Sequence, residues 1–213
     1  METKKFSTIP IQVSYEAQVS IPSNPKRVFL LLHGFKQDGE YLFKLLKDSL
    51  PDDVAIISPN GPFFVPVEKR EGHVMKYAWY FFDQLKKSYF IDYTPATEYI
   101  KSILIELDLH RKPITVIGYS QGGYLAPKIA ETITAVDTVI GLGCVFRNKM
   151  FDVRTSVMIH QINSKTDSVI DFDSAKGEFL KLRERGNLGR FVALDGPSHR
   201  LSNEYIFELA QFL

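Results

Sequence analysis

The sequence has little cysteine, no excess of charge of one sign and no long hydrophobic run, and each shortage excludes a class of protein. Cys144 is the single cysteine, so the chain has no internal disulfide, which fits a reducing compartment. The 26 Lys and Arg residues nearly balance the 25 Asp and Glu residues, which gives no electrostatic basis for nucleic acid binding. The longest strongly apolar run, residues 28–32, is far shorter than the roughly 18–20 residues that span a bilayer.

Other signals of location and of cofactor binding are also missing. Residues 1–7 lack the apolar stretch of a secretory signal, so we expect a cytoplasmic protein without stable membrane insertion. There is no H-E-x-x-H motif, cysteine pair or P-loop, and the glycines at 141 and 143 lack the third glycine of a dinucleotide fingerprint. We therefore expect no metal and no cofactor. Without repeats or linkers, residues 1–213 are expected to form a single domain.

Short apolar runs recur along the chain, and most of them are continuously apolar. Such runs are typical of strands that helices cover on both faces. The runs are residues 27–33, 54–58, 114–118, 138–142, 156–162 and 191–194. Residues 11–21 alternate more between apolar and polar, which favours an antiparallel edge strand or hairpin.

Longer amphipathic segments separate these runs and have the spacing of helices. The clearest lie at residues 94–107, 172–186 and 201–212. Strands that alternate with helices predict an α/β fold with a mostly parallel central sheet and helices on both faces. Ligands bind beyond the carboxyl ends of the strands in such sheets, so we looked for chemistry just after each apolar run.

The candidate nucleophile is Ser120, in the segment Gly-Tyr-Ser-Gln-Gly-Gly at residues 118–123. The segment follows an apolar run and precedes a helical pattern, which is the context of the G-x-S-x-G nucleophile elbow. Gly118 and Gly122 are small where a strained turn crowds the backbone. The competing interpretation is a glycine-rich strand-to-helix turn whose serine is incidental.

The candidate base is His199, which follows the last apolar run and precedes the terminal helix. A loop there can reach over the edge of the sheet, and a histidine in that place fits the Ser, acid, His order of α/β-hydrolases. The alternative is an ordinary surface histidine. The other histidines occupy positions less suited to a base: His33, His73, His110 and His160.

Three aspartates compete for the role of the acid that orients the base. Asp167 is the first carboxylate after the run at 156–162 and is the preferred candidate. Asp171 is the reserve, because its position suits the first turn of the next helix. Asp195 ranks third because it lies only four residues from His199.

Two backbone N–H groups are candidates for an oxyanion hole. Gln121 follows the nucleophile, and Phe35 follows the His33-Gly34 pair at the end of the first run. Gly34 would let the backbone approach a ligand closely. The alternative for His33-Gly34 is an ordinary transition from strand to loop.

Taken in order, these motifs resemble the acyl-protein thioesterase and carboxylesterase branch of the α/β-hydrolases, also described as the phospholipase/carboxylesterase family. The resemblance extends over nearly the whole chain and includes the absence of a large cap insertion. It rests on the His33-Gly34 turn, the Ser120 elbow followed by Gln121, the stretch 167–170, the His199 loop and an aromatic stretch that begins at Trp79. It implies hydrolysis by the triad Ser120, Asp167 and His199, with Phe35 and Gln121 as oxyanion donors.

Aromatic residues are concentrated between residues 61 and 94. The chain has 16 Phe, 10 Tyr and 1 Trp, and ten of these rings fall in that segment. We expect an irregular segment that overhangs the strand ends and forms an apolar wall for an acyl chain, with Trp79, Phe63 and Phe64 as substrate-binding residues. The alternative is a satellite core that pins a long loop.

Together these patterns predict a serine hydrolase that cleaves carboxylic ester or thioester bonds of small acyl substrates through an acyl-enzyme. Two other functions stay open: a catalytically silent binding protein with this fold, and an acyltransferase or peptidase on the same triad. The expected partner is a small acyl ester or thioester. The oligomeric state is open, and a homodimer is one of the allowed states.

Overall fold

The computed structural model describes residues 13–81, 92–196 and 198–213, and a seven-stranded sheet runs through them. The sheet strands are β1 (Ala17–Ser20), β2 (Val28–Leu32), β3 (Ala55–Pro59), β6 (Ile114–Tyr119), β7 (Val136–Leu142), β8 (Met158–Ser164) and β9 (Phe191–Leu194). A separate hairpin consists of β4 (Phe63–Lys69) and β5 (Gly72–Ala78). The helices are α1 (Gly39–Leu46), α2 (Thr94–Glu106), α3 (Gln121–Thr132), α4 (Phe172–Glu184) and α5 (Asn203–Leu209).

The sheet is parallel except at one edge. Its order is β1-β3-β2-β6-β7-β8-β9, and β1 alone pairs antiparallel, with β3. Each of the six apolar runs became a strand, and the alternating segment contributed the antiparallel edge strand. The predicted mostly parallel α/β sheet is therefore confirmed.

Two apolar clusters lie on opposite faces of the sheet, as the alternation along β2 shows. Val28, Leu30 and Leu32 pack into a cluster with α2, α3 and α4, whereas Phe29 and Leu31 pack into a cluster with α1 and α5. Because successive side chains of a strand point to opposite faces, a strand inside two such clusters must be apolar throughout. This explains why the sheet strands read as continuous apolar runs.

The prediction of an irregular segment over residues 61–94 is wrong for residues 63–78. These residues form the β4–β5 hairpin, closed by a two-residue turn before Gly72, which has a φ of +123°. Half-buried and exposed side chains alternate along β4, as in a strand with one covered face. The apolar spelling Phe-Phe-Val-Pro-Val hid this alternation. Residues 82–91, with four of the ten rings, lie outside the described residues.

Helix α1 is an element that no sequence pattern predicted. Asp38 caps its N-terminus by accepting a hydrogen bond of 3.1 Å from the N–H of Tyr41, and Leu42 and Leu46 are buried against the sheet. The helix is only eight residues long, so its periodicity is short. Its role is to cover the sheet face that α5 leaves open on the β1 side.

Replacing Leu31 by Ala is expected to lower the free energy of unfolding by about 2–5 kcal/mol, because a fully buried side chain at the centre of the sheet would leave a cavity. Urea unfolding of the two proteins measures the difference. Leu180→Ala is the matched control, because Leu180 is 50% exposed on α4 and should shift the value by less than about 0.5 kcal/mol. Equal losses in both variants would contradict the assigned core.

Candidate active site

Ser120 stands on a strained turn between the end of β6 and the start of α3. Its backbone has a φ of 49° and a ψ of −116°, a combination that side-chain-bearing residues rarely adopt. Two hydrogen bonds hold it there: its N–H donates to Leu142 O at 2.9 Å, and its O accepts from the N–H of Tyr124 at 3.1 Å. The turn presents the hydroxyl at the carboxyl edge of the sheet.

The glycines around Ser120 are required by close backbone contacts. A Cβ on Gly122 would lie 2.2 Å from Leu32 O, and a Cβ on Gly118 would lie 2.4 Å from Gly122 O. Both distances are far below van der Waals contact, so any side chain at either position would push α3 away from β2 and β6. The sequence argument for small residues at these positions therefore has a direct structural cause.

Ser120, His199 and Asp167 form a continuous hydrogen-bonded chain. The Nε2 of His199 is 2.8 Å from Ser120 Oγ, and its Nδ1 is 2.8 Å from Asp167 Oδ2. A carboxylate oxygen only accepts, so Nδ1 carries the imidazole proton and Nε2 is free to accept from the serine hydroxyl. The structure thus brings together three side chains from loops that are far apart in sequence.

Only one of the three candidate aspartates reaches the histidine. The side chain of Asp167 is fully buried, and its Oδ1 accepts hydrogen bonds from the N–H groups of Val169 and Ile170 at 2.8 and 2.9 Å. Asp171 caps α4 instead, by accepting from the N–H of Ser174. Asp195 forms an exposed ion pair with a lysine, Lys165.

Tyr119, which sequence reasoning did not single out, supports the histidine from below. Its hydroxyl donates a hydrogen bond to the backbone O of His199, and its ring stacks on the imidazole with centroids 5.4 Å apart. Burial raises the pKa of Tyr119, which keeps the hydroxyl protonated as a donor. The variable position of the elbow motif carries no spacing signal, so the sequence offered no way to find this contact.

The loop after β2 leaves one backbone donor facing the cleft. The N–H of Gly34 donates to Gln37 Oε1, that of Lys36 to Tyr77 O, and that of Gln37 to Gly34 O. Among the described residues, no acceptor takes the N–H of Phe35. The N–H of Gln121 belongs to the first turn of α3 and has no acceptor within the helix. Both candidate oxyanion donors are therefore available.

His33 shapes that loop as a buried neutral imidazole. Its Nδ1 lies 2.7 Å from Gly34 O, and its Nε2 accepts from the N–H of Gly61 at 2.9 Å. Because a carbonyl oxygen only accepts, Nδ1 carries the proton. Burial lowers the pKa of His33 to about 4, so the imidazole stays uncharged at neutral pH.

The three residues expected to bind substrate occupy different environments. Trp79 is completely buried, and its indole N–H donates to His33 O at 2.8 Å, so it supports the loop after β2 and does not line the cleft. Phe64 is 63% exposed, and Phe63 is half-buried with its ring 4.7 Å from that of Phe81. The structure does not bring these rings to Ser120.

The amide of Gln121 joins the aromatic segment to the elbow. Its Oε1 accepts from the N–H of Trp79 at 2.9 Å, and its Nε2 donates to Tyr80 O at 2.8 Å. All three residues are buried, so each of these backbone groups depends on the glutamine. This gives a structural reason for glutamine after the nucleophile in addition to its backbone donor.

An open cleft of about 410 Å³ surrounds the serine hydroxyl. The residues that line it are largely polar: Gly34, Phe35, Gln37, Tyr119, Ser120, Ser168, Ser198, His199 and Arg200. The cleft lies beyond the carboxyl ends of β2, β6 and β8, where a ligand is expected in a parallel sheet.

Neither a metal cluster nor a bilayer-crossing helix occurs in the part of the chain that the structure describes. No group of three or more His, Cys, Asp or Glu side chains there is arranged to hold a metal ion. No helix within these residues combines the length and the hydropathy that a bilayer crossing needs.

The family described as phospholipase/carboxylesterase matches residues 15–213 of the sequence. The chain belongs to this family. Membership supports a hydrolase function for this phospholipase/carboxylesterase relative, and it confirms the α/β-hydrolase fold. No curated protein matches the sequence.

Solved structures share the fold of this family member at low identity. Esterase PE8 is 19% identical with a TM-score of 0.72, over 95% of this chain and 98% of the other. Acyl-protein thioesterase 2 of Zea mays is 18% identical with a TM-score of 0.71, over 92% and 96%. The Bacillus cereus carboxylesterase is 15% identical with a TM-score of 0.69, over 93% and 92%.

Replacing Gln121 by Leu is expected to cost about 2–5 kcal/mol of unfolding free energy, because the N–H of Trp79 and the carbonyl of Tyr80 would both be buried without partners. Urea unfolding measures this loss. Gln18→Leu is the control, because Gln18 is exposed on the edge strand β1 and should change stability little. A loss no larger than that of the control would show that the amide does not hold the segment.

Proposed function

We propose that this protein is a serine hydrolase that cleaves carboxylic ester or thioester bonds of small acyl substrates. The observation that carries the proposal is the hydrogen-bonded chain from Ser120 Oγ through His199 to Asp167. Its supports are the strained backbone of the serine and the membership of a hydrolase family. The names of the structural neighbours, an acyl-protein thioesterase and carboxylesterases, favour acyl substrates.

The proposed reaction begins when His199 takes the hydroxyl proton of Ser120 at Nε2. The serine oxygen attacks the acyl carbonyl, and the N–H groups of Phe35 and Gln121 stabilise the oxyanion that forms. His199 then gives the proton to the departing alcohol or thiol, which leaves an acyl-serine ester. Water, deprotonated by the same imidazole, attacks that ester and releases the acid and the free serine.

Asp167 is proposed to hold the imidazole in the reactive tautomer and to stabilise its charged form. It accepts from Nδ1 through Oδ2, and its other oxygen is held by the N–H groups of Val169 and Ile170. These two backbone bonds fix the carboxylate in its turn. An acid that is pinned in this way keeps the imidazole oriented toward the serine through both halves of the reaction.

Ser120 should react covalently with a fluorophosphonate probe in the folded protein, and short p-nitrophenyl esters should be hydrolysed. Ser120→Ala should abolish labelling and reduce turnover by about 10⁶-fold, as the loss of other triad serines does. Mass spectrometry of the labelled peptide identifies the modified residue. Failure of Ser120 to react in folded protein would refute the proposal, and labelling without turnover of any acyl ester or thioester would favour a silent binding protein.

Asp167→Asn should lower kcat by about 10⁴-fold, because the amide would hold the imidazole in the wrong tautomer. Asp171→Asn is the matched control: it makes the same chemical change four residues away, and Asn caps a helix as well as Asp does. Steady-state kinetics with one p-nitrophenyl ester compares the two variants. A large effect of Asp171→Asn with a small effect of Asp167→Asn would reassign the acid.

A further inference from the structure

Arg200 is the cationic side chain that lines the cleft around Ser120. It follows the candidate base directly in sequence and is exposed. Within the described residues, no hydrogen bond or ion pair engages its guanidinium. Burial raises the pKa of Tyr41 and Tyr119, and the charge of Arg200 opposes this, which places the guanidinium near both rings. An uncommitted arginine therefore stands beside the nucleophile.

The carboxylates nearest to this arginine in the surrounding loops are already engaged. Asp167 accepts from His199 and from two backbone N–H groups, as described above. Asp38 is paired with Lys76, and Asp195 is paired with Lys165. Because these acids have partners, the charge of Arg200 is not neutralised by an ion pair within the cleft and remains available to a ligand.

The position of Arg200 assigns it to one part of the substrate. In acyl transfer the base gives its proton to the leaving atom, so the leaving alcohol or thiol must lie beside His199 Nε2. Arg200 and Ser198 flank His199 in the same loop, whereas Gly34 and Phe35 line the opposite wall, at the oxyanion donors. The guanidinium is thus on the side where the leaving group departs.

The polar character of this side agrees with that assignment. Ser168 and Ser198 contribute hydroxyls to the lining next to Arg200, and Gln37 contributes an amide. Lys36 adds a second exposed positive charge on the loop after β2, with its Nζ 5.3 Å from the ring centroid of Phe35. Hydroxyls and a free guanidinium suit a carboxylate or phosphate oxygen better than an alkyl chain.

We propose that Arg200 selects esters or thioesters whose leaving alcohol or thiol carries an anionic group, a carboxylate or a phosphate. This inference rests on the proposed hydrolase function and adds to it the chemical class of the leaving group. The acyl part stays uncharged, and the guanidinium binds the anion through charge-assisted hydrogen bonds while the ester carbonyl lies against the oxyanion donors.

A pair of butyrate esters with nearly isosteric leaving groups tests the proposal. One ester is made from 3-carboxyphenol, which carries a negative charge, and the other from 3-carbamoylphenol, which is neutral. The wild-type protein should favour the carboxylate ester in kcat/KM by roughly tenfold, mainly through KM, since one exposed charge-assisted bond contributes about that factor. The preference should weaken as salt is added, because salt screens an exposed charge pair.

Arg200→Gln should reduce the ratio of the two kcat/KM values to near one, and Arg200→Lys should restore part of it. A third ester, 3-phosphophenyl butyrate, shows which of the two anions the arginine prefers. Arg111→Gln is the matched control, because it removes the same charge at the opposite edge of the sheet, just before β6. It should leave the ratio unchanged.

Three outcomes would overturn the inference: a wild-type ratio of one or less, a ratio that Arg200→Gln preserves, or an equal drop in the ratio with Arg111→Gln. The neutral ester separates this failure from failure of the proposed function. If the wild-type protein hydrolyses the neutral ester through Ser120 but shows no preference for charge, only the role of Arg200 falls. If neither ester is hydrolysed and Ser120 does not react, the hydrolase function falls as well.

A phosphate ester of the same phenol gives a ratio of its own. Selection of either the carboxylate or the phosphate ester over the neutral one, lost in Arg200→Gln, supports the proposal. Rejection of both anionic esters relative to the neutral one contradicts it, because a guanidinium that faced the leaving group would attract each of them.

Discussion

The contact between the start of α3 and the carbonyl of Leu32 is the constraint on which the rest of the site depends. A side chain at Gly122 would lie 2.2 Å from that carbonyl, so helix and strand approach as closely as two backbones can. This approach allows the turn at Ser120 to exist with a φ of 49°. The same approach aims the N-terminus of α3 at the cleft, so strain, donor and nucleophile come from one packing contact.

A buried polar network keeps the loops around that contact in place. His33 links the loop after β2 to Gly61, Trp79 links that loop to the end of β5, and Gln121 links β5 to α3. Each bond is between buried groups, where an unmatched donor or acceptor is costly. The neutral state of His33, which follows from its low pKa, avoids a buried charge. The tryptophan and the glutamine therefore serve the cleft without lining it.

The sequence predicted the parts of this molecule that local rules govern. Continuous apolar runs identified the sheet strands because a strand between two helical layers has no polar face, and the elbow glycines marked the strand-to-helix turn. The choice among Asp167, Asp171 and Asp195 stayed open because reach depends on how a loop folds, and sequence spacing does not determine that. Trp79 was expected at the substrate because aromatic content does not report depth, and the hairpin was missed because its apolar spelling hid a period of two.

The loop that carries His199 is tied to the strands that carry the other two members of the proposed triad. Tyr119, the last residue of β6, holds the carbonyl of His199, and Ser164, the last residue of β8, donates to Gly196 O at 2.7 Å. Ser120 follows the first of these strands, and the turn of Asp167 follows the second. The base is thus referenced to the same sheet edge as the nucleophile and the acid. A short loop can therefore hold an imidazole within hydrogen-bond distance of both, because the rigid element that positions it is the sheet itself.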